Sequence, residues 1–176
     1  EPGQAAVFAG EAVLDAWPGG VTPQCKKQVV DTLLVTMRDD ARVVPTTRAA
    51  AGRALAKLGD PRPEATTIEG MQFCYVPPGP FWMSEGKDEH RNGTLDYGYW
   101  MARYPVTNAQ YGAFVEAGGY RERQFWTDAG WRWREEKGLV APAALDEPFC
   151  LATHPVVAVS WYEAVAFTRW LTAWLH

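Results

Sequence analysis

Apolar residues recur at helical spacing through the first sixty residues of the chain. Thr22-Pro23 offers a cap followed by proline at the first helical position, and the apolar face after it consists of Cys25, Val29, Val30, Leu33, Leu34 and Met37. Two further helices are predicted at residues 5–17 and 46–58. Short helices of this kind are typical of helical repeats, which bury their faces only against neighbouring units. Residues 1–60 are therefore predicted to form a helical segment.

The pattern changes after residue 60. Residues 61–70, which include two prolines and two threonines, are interpreted as a linker, and residues 71–176 as a second domain. Short apolar runs between turn residues predict strands in that domain, at 73–76, 81–83, 99–104 and 155–159. Helices are predicted at 108–117 and 161–175, and the glycine-, proline- and charge-rich stretch 120–148 is predicted to be a long loop. The predicted fold class is α+β.

Two segments of this domain share an extended run followed by a helix cap. Thr107 and Gln110 have the spacing of a capping box, in which each side chain bonds the backbone of the other residue. Ser160 and Glu163 have the same spacing, directly after an apolar run. Each cap contributes only about 1 kcal/mol, so the two boxes predict where helices begin and not whether the domain folds.

Four segments occur in a specific order, namely VPPGPFWMSEG, YWMARYPVTNAQYGAFVEAGGY, HPVVAVSWYEAVAF and TRWLTAWL. This order resembles the formylglycine-generating-enzyme/sulfatase-modifying family, whose fold is a variant of the C-type lectin fold. The chain departs from the family pattern at Ser84, where glycine usually follows methionine, and in the stretch 88–97. The resemblance implies a domain that continues well past residue 176. We therefore expect a truncated, C-type-lectin-like N-terminal half, which needs the missing C-terminal half of its own domain as a partner to fold stably.

Charge and composition exclude some partners. A net charge of -4 and a pI near 5.4 argue against a nucleic-acid partner, which requires a basic surface. No apolar run approaches the length of a membrane span, so no membrane partner is expected. No signal peptide is apparent, and the three widely spaced cysteines, Cys25, Cys74 and Cys150, are interpreted as free thiols. These observations predict a cytoplasmic protein.

Few residues have the spacing that catalysis or metal binding requires. The three histidines, His90, His154 and His176, include no pair at i, i+4 on a helix, and no cysteines form a CxxC pair. The helical histidine cluster of the iron-dependent sulfoxide synthases that resemble this family has no counterpart here. We predict no catalytic residue, no metal site and no cofactor in this chain. The resemblance implies that copper-binding cysteines and calcium sites belong to the missing half.

Aromatic residues and arginines alternate in the predicted loop. The predicted ligand-binding residues are Trp126, Trp131, Arg132 and Trp133, within a loop at 120–139. Exposed tryptophan beside arginine suits stacking or cation–π recognition. The structural alternative is that the rings fix an insertion onto the body of the domain.

Three functions fit these observations. The main prediction is a non-catalytic module that binds or displays a protein or other macromolecular ligand, as retroelement-diversified variable proteins do on a lectin-like scaffold. The first alternative is the scaffold half of a formylglycine-generating oxidase that acts on a sulfatase cysteine. The second alternative is a regulatory domain of a helical-repeat signalling protein.

Overall fold

A computed structural model of the protein describes residues 1–84, 86 and 90–175. His176 and residues 88–89 of the divergent stretch lie outside the described residues. The helices are α1 Gln4–Ala16, α2 Pro23–Arg38, α3 Pro45–Leu58, α4 Pro63–Thr66, α5 Asn108–Glu116, α6 Asp128–Lys137 and α7 Trp161–Leu175. The strands are β1 Phe73–Val76, β2 Gly79–Met83, β3 His90–Leu95 and β4 Tyr99–Ala102. This mixture of helices and strands is consistent with the predicted α+β class.

The first three helices pack on one another around their own apolar core. Leu33, Ala51 and Leu55 are fully buried at its centre. The hydroxyl of Thr22 accepts a hydrogen bond from the backbone N–H of Cys25 at 3.2 Å, so α2 begins at the predicted cap. The three helices predicted in this region are confirmed to within one or two residues at either end.

The strands form two separate antiparallel pairs. β1 pairs with β4, from Phe73 opposite Ala102 to Val76 opposite Tyr99, and β2 pairs with β3. Strands are observed where the sequence predicts them at 73–76, 81–83 and 99–104, although the last ends at residue 102. The prediction of a strand at 155–159 is wrong. That segment makes only an isolated bridge from Pro155 to Thr107, and Ala158 adopts a left-handed conformation (φ 58°) that interrupts any extended run.

The prediction of a long loop at 120–148 is also wrong in part, because α6 lies within that stretch. Thr127 caps this helix by accepting from the backbone N–H of Gly130 at 3.0 Å, and Gly138 ends it at φ 62°. The prediction relied on the glycine and charge content of the stretch. A charged helix with only one buried residue, Gly130, lacks the apolar periodicity that would have revealed it.

A second core lies beneath α5, α7 and the turn between α5 and α6. Its buried members are mostly aromatic, namely Ile68, Tyr111, Phe114, Tyr120, Trp126, Ala166, Phe167, Trp170 and Leu171. The ring of Phe114 lies within 6 Å of four others, those of Tyr111, Tyr120, Phe167 and Trp170. Residues 61–70, interpreted as a linker, contain α4 and contribute Ile68 to this core. Within the described residues, no helix has both the length and the apolar character to cross a membrane.

Candidate functional site

Both predicted capping boxes are present. The Thr107 hydroxyl accepts from the backbone N–H of Gln110 at 3.3 Å, and the Gln110 side chain accepts from the Thr107 N–H at 3.0 Å. Ser160 and Glu163 make the same reciprocal pair, at 3.3 and 2.8 Å. The starts of α5 and α7 are therefore fixed as the sequence predicts.

The first cap also holds the segment around α4. The Gln110 amide donates to the backbone carbonyls of Glu64 and Thr67, each at 3.1 Å, while the Thr107 hydroxyl donates to the carbonyl of Ala65 at 2.9 Å. Gln110 is only 2% exposed, so its amide has no access to bulk water as an alternative partner. The cap thus joins residues 64–67 to the second core as well as starting a helix.

Asn108 holds another distant segment. Its side-chain amide donates to the carbonyls of Phe149 (2.6 Å) and Leu151 (2.9 Å), and its backbone N–H donates to the carbonyl of His154. The neighbouring N–H of Ala109 donates to the carbonyl of Ala152. We refer to these contacts as the asparagine clasp. They bring residues 149–154 against the start of α5, so the free N–H groups of its first turn bind carbonyls of the chain.

Three buried side chains form a hydrogen-bonded network within the second core. The hydroxyl of Tyr120 donates to Glu163 Oε1 at 2.5 Å, and the Tyr111 and Tyr120 hydroxyls lie 3.1 Å apart. Because a carboxylate only accepts and a hydroxyl has one proton, Tyr111 must donate to Tyr120. The second carboxylate oxygen accepts from the backbone N–H of Ser160. Both oxygens of Glu163, which is 3% exposed, are therefore bonded.

The same burial favours the neutral form of the two tyrosines. Desolvation raises the pKa of Tyr120 well above its usual value, and the hydrogen bond to Glu163 raises it further. Desolvation also raises the pKa of Tyr111, against the opposing effect of the hydrogen bond to Tyr120. Neither phenol is a source of phenolate at neutral pH, so the network acts as a structural element that links α5, the following turn and α7.

An open apolar face lies beside this core, between β1, β4 and α7. It encloses about 880 Å³ and its lining is formed by Met71, Phe73, Tyr99, Trp100, Ala102, Pro105, Val106, Tyr111, Val156, Val159, Ala164, Phe167, Thr168, Leu171, Thr172 and Leu175. Several of these side chains remain largely in solvent, including Trp100 (67% exposed) and Leu175 (53% exposed). The lining among the described residues includes no charged side chain. The face has the composition of a protein core.

The four predicted ligand-binding residues lie on or next to α6 and differ in burial. Trp126 is 3% exposed, and its indole N–H donates to the carbonyl of Gly119 at 2.8 Å. Trp131 and Trp133 are half-buried, and Trp133 packs on the ring of Tyr162 with centroids 5.5 Å apart. Arg132 is exposed. Trp126 therefore has a structural role in the core, and a ligand site at the other three residues stays a prediction.

No group of three histidine, cysteine or acidic side chains is placed to hold a metal ion in the part of the chain that the structure describes. His154 is near Arg53, and desolvation followed by the charge of that arginine lowers its pKa. A neighbouring positive charge opposes cation binding as well as protonation. The three cysteines are exposed and unpaired with one another. The residues that the structure describes do not fit an iron or copper centre.

The capped helices, the small antiparallel strand pairs and the aromatic core define a domain of mixed helices and strands. A family model for the sulfatase-modifying factor enzyme 1-like domain matches residues 57–175. Since the match covers more than half of the chain, the protein belongs to the FGE-sulfatase family. The resemblance inferred from the four sequence segments is confirmed.

Curated relatives of the chain are named hercynine oxygenases. The protein from Mycolicibacterium thermoresistibile is 41% identical over 84 residues, a match that covers 42% of this chain and 19% of the relative. The proteins from Mycobacterium tuberculosis and Mycolicibacterium smegmatis are 34% and 36% identical, and the matches cover 20% and 19% of their lengths. The matched region thus spans about a fifth of these relatives.

These relatives overturn the main functional prediction. A non-catalytic binding or display module was expected, but the similar proteins are enzymes of the same family. Nothing in the comparisons supports a retroelement-diversified variable protein. The alternative, in which the chain is the scaffold of an oxidising enzyme, agrees better with the relatives. The physical reason for the error is that few residues of this chain have the spacing of a catalytic or metal site, so its sequence gives no direct sign of the chemistry of its relatives.

Proposed function

We propose that this chain is the scaffold part of an oxygenase of the FGE-sulfatase family. The observation that carries the proposal is the similarity to three hercynine oxygenases, at 34–41% identity over the matched region. Hercynine is therefore the proposed substrate. The formylglycine-generating oxidase is the second candidate, but the three relatives described above are hercynine oxygenases and favour the oxygenase.

The described residues support a positioning role. The asparagine clasp, the two capping boxes and the buried network join four separate stretches of chain, at 64–67, 107–120, 149–154 and 160–163. Such bonds hold loops at fixed positions relative to the helices, as a substrate site requires. Oxygen chemistry would be supplied by a metal centre, and because no described side chains fit one, no step of the reaction is assigned to this chain.

We also propose that residues 71–175 adopt the C-type-lectin-like arrangement of the family. Two short antiparallel strand pairs and two capped helices support this proposal, together with the family match. Comparison of backbone topology with an experimental structure of a hercynine oxygenase would test it directly. A different order of strands and helices in the matched region would contradict it.

A chimeric enzyme tests the functional proposal. The part of the Mycolicibacterium thermoresistibile hercynine oxygenase that corresponds to residues 57–175 of this chain, the range of the family match, is replaced by those residues. Oxygen uptake that depends on hercynine is then measured with ferrous iron supplied. Because the transplanted region carries the scaffold contacts, we expect uptake within about tenfold of the parent enzyme, equivalent to about 1.4 kcal/mol in the activation barrier.

Two variants of the chimera separate scaffold effects from surface effects. Asn108→Ala removes the side-chain bonds of the clasp, and we expect it to reduce uptake further. Glu136→Ala changes an exposed residue outside the clasp and outside the predicted ligand site, and it should leave uptake unchanged. A chimera that folds by circular dichroism and retains iron, but shows no hercynine-dependent uptake, would contradict the proposed function.

A further inference from the structure

A small polar cleft lies where the end of α2 meets α4 and the start of α5. It encloses about 300 Å³, a volume that suits a small molecule or ion. Its lining includes two guanidinium groups and two hydroxyl groups that can donate hydrogen bonds, together with one carboxylate. These side chains belong to Arg38, Arg62, Tyr104, Thr153 and Glu64. We refer to this site as the arginine cleft.

Arg62 is held in place by Asp60, whose side chain is fully buried. The Nε and Nη2 atoms of the arginine donate to the two carboxylate oxygens at 2.9 and 2.5 Å, and its backbone N–H donates to the first oxygen at 3.0 Å. In the described part of the chain, Nη1 has no such partner. Arg62 therefore brings donors to the cleft on a side chain that is already ordered, so a ligand would not have to order it.

The other donors of the cleft are poorly used within the protein. Nη2 of Arg38 is 3.8 Å from Oε1 of Glu64, which is too long for a hydrogen bond. The Arg38 side chain is mostly exposed, and an ion pair of this kind contributes little to stability. The hydroxyls of Tyr104 and Thr153 have no hydrogen-bond partner among the described residues. The cleft thus has more donors than acceptors.

The charges around the cleft favour an anion. Arg103 lies beside Tyr104, with its guanidinium carbon 5.5 Å from the centre of the ring, so it adds a third positive charge next to Arg38 and Arg62. The two negative charges are those of Asp60 and Glu64. Asp60 is fixed below Arg62, whereas Glu64 only approaches Arg38 and can be replaced by a ligand whose oxygens are better placed.

We propose that the arginine cleft binds a small oxyanion, which is a carboxylate or a phosphate group, between Arg38 and Arg62. Such a group offers only acceptors, and its hydrogen bonds to guanidinium groups are charge-assisted and therefore strong. Arg38 belongs to the three-helix segment, and Arg62 and Tyr104 belong to the family domain, so the ligand connects the two parts of the chain. The proposal concerns binding alone and is independent of the oxygenase function.

Titration of the 176-residue chain with sodium phosphate, and separately with sodium acetate, tests the proposal by NMR. Sodium chloride keeps the ionic strength constant, so general screening of charges does not contribute. The Nε–H resonance of Arg62 should shift with a saturable dependence on at least one of the two anions, with a dissociation constant of about 1 mM or below. The two titrations distinguish the tetrahedral from the planar oxyanion. No saturable shift with either anion up to about 20 mM would overturn the proposal.

Two variants should change the affinity in opposite directions. Arg38→Ala removes a charge-assisted donor and should raise the dissociation constant at least about tenfold. Glu64→Gln removes the competing carboxylate and should lower the dissociation constant. Because loss of the fold cannot tighten binding, this pair separates a ligand site from a structural effect.

Arg121→Ala is the matched control, since it removes an exposed arginine that lies outside the cleft. It should leave the dissociation constant unchanged. Equal weakening by Arg121→Ala and Arg38→Ala would show that the anion binds only to the general positive charge of the surface, and would overturn the proposal. An affinity that neither Arg38→Ala nor Glu64→Gln alters would overturn it as well.

Discussion

The hydroxyl of Tyr120 bonds both Tyr111 and Glu163 in the buried network, so its removal should cost more stability than removal of the Tyr111 hydroxyl. Phenylalanine at this position keeps the ring contacts with Phe114 and Trp126 but deletes the bonds to Glu163 and Tyr111. A net contribution of about 1.5–3 kcal/mol is typical of a hydrogen bond to a charged group, and about 1 kcal/mol of a neutral one. We therefore expect Tyr120→Phe to lower the free energy of unfolding by about 3 kcal/mol.

Tyr111→Phe is the matched comparison, because it removes only the neutral bond at the end of the network. Its expected cost is about 1 kcal/mol, and the double variant should cost less than the sum, since Tyr120→Phe has already removed the partner of Tyr111. Urea unfolding followed by tryptophan fluorescence measures all three variants. Equal losses in the two single variants, or strict additivity in the double variant, would refute the arrangement in which Tyr120 bridges Tyr111 and Glu163.

Backbone strain, histidine protonation and the asparagine clasp each give a further measurable outcome. Ala158→Gly should raise the free energy of unfolding by up to about 1 kcal/mol, because alanine is strained at φ 58° and glycine is not. Gly138→Ala, at φ 62° with open space around it, should lower the free energy of unfolding by a similar amount, and thermal melts measure both changes. The pKa of His154 in the folded state lies below its usual 6.5, so the folded protein should lose stability as the pH falls from 6.5 through that lowered pKa. His154→Gln should reduce this loss when urea unfolding is compared at about pH 7.5 and 5.5, and an unchanged slope would exclude the histidine as its source. Asn108→Ala should increase amide hydrogen exchange selectively at residues 149–156, and uniform or unchanged exchange would contradict the clasp.

Features encoded by residues close together in sequence were predictable. A capping box needs only two residues three positions apart, and both boxes, at Thr107 and Ser160, have the predicted bonds. Ser84, where the chain departs from the family pattern, is also explained by local backbone conformation. The family usually has glycine there, and the serine adopts φ 67°, a left-handed conformation that glycine adopts without steric cost.

Features that join distant residues were not predictable from one sequence. The pairing of β1 with β4 skips two intervening strands, and short apolar runs specify a strand without specifying its partner. Gln110 was identified as a capping residue, but its bonds to carbonyls 43 and 46 positions away have no local signal. Asn108 lies at the predicted start of a helix, and nothing in the neighbouring sequence indicates its bonds to the carbonyls of Phe149 and Leu151.

The functional prediction failed for a related reason. The sequence shows no paired cysteines and no clustered histidines, which favours a non-catalytic module over an enzyme, but such an argument applies only to the residues considered. Glu163 illustrates the limit, because a glutamate within a core would suggest acid–base chemistry, yet both of its oxygens are bonded within the scaffold. A region that positions other groups needs satisfied, unreactive polar contacts, since free reactive groups would compete for the bonds that fix its loops. Few reactive side chains are therefore what the proposed oxygenase scaffold should show, and in such a region similarity to enzymes is a better guide to activity than the set of side chains present.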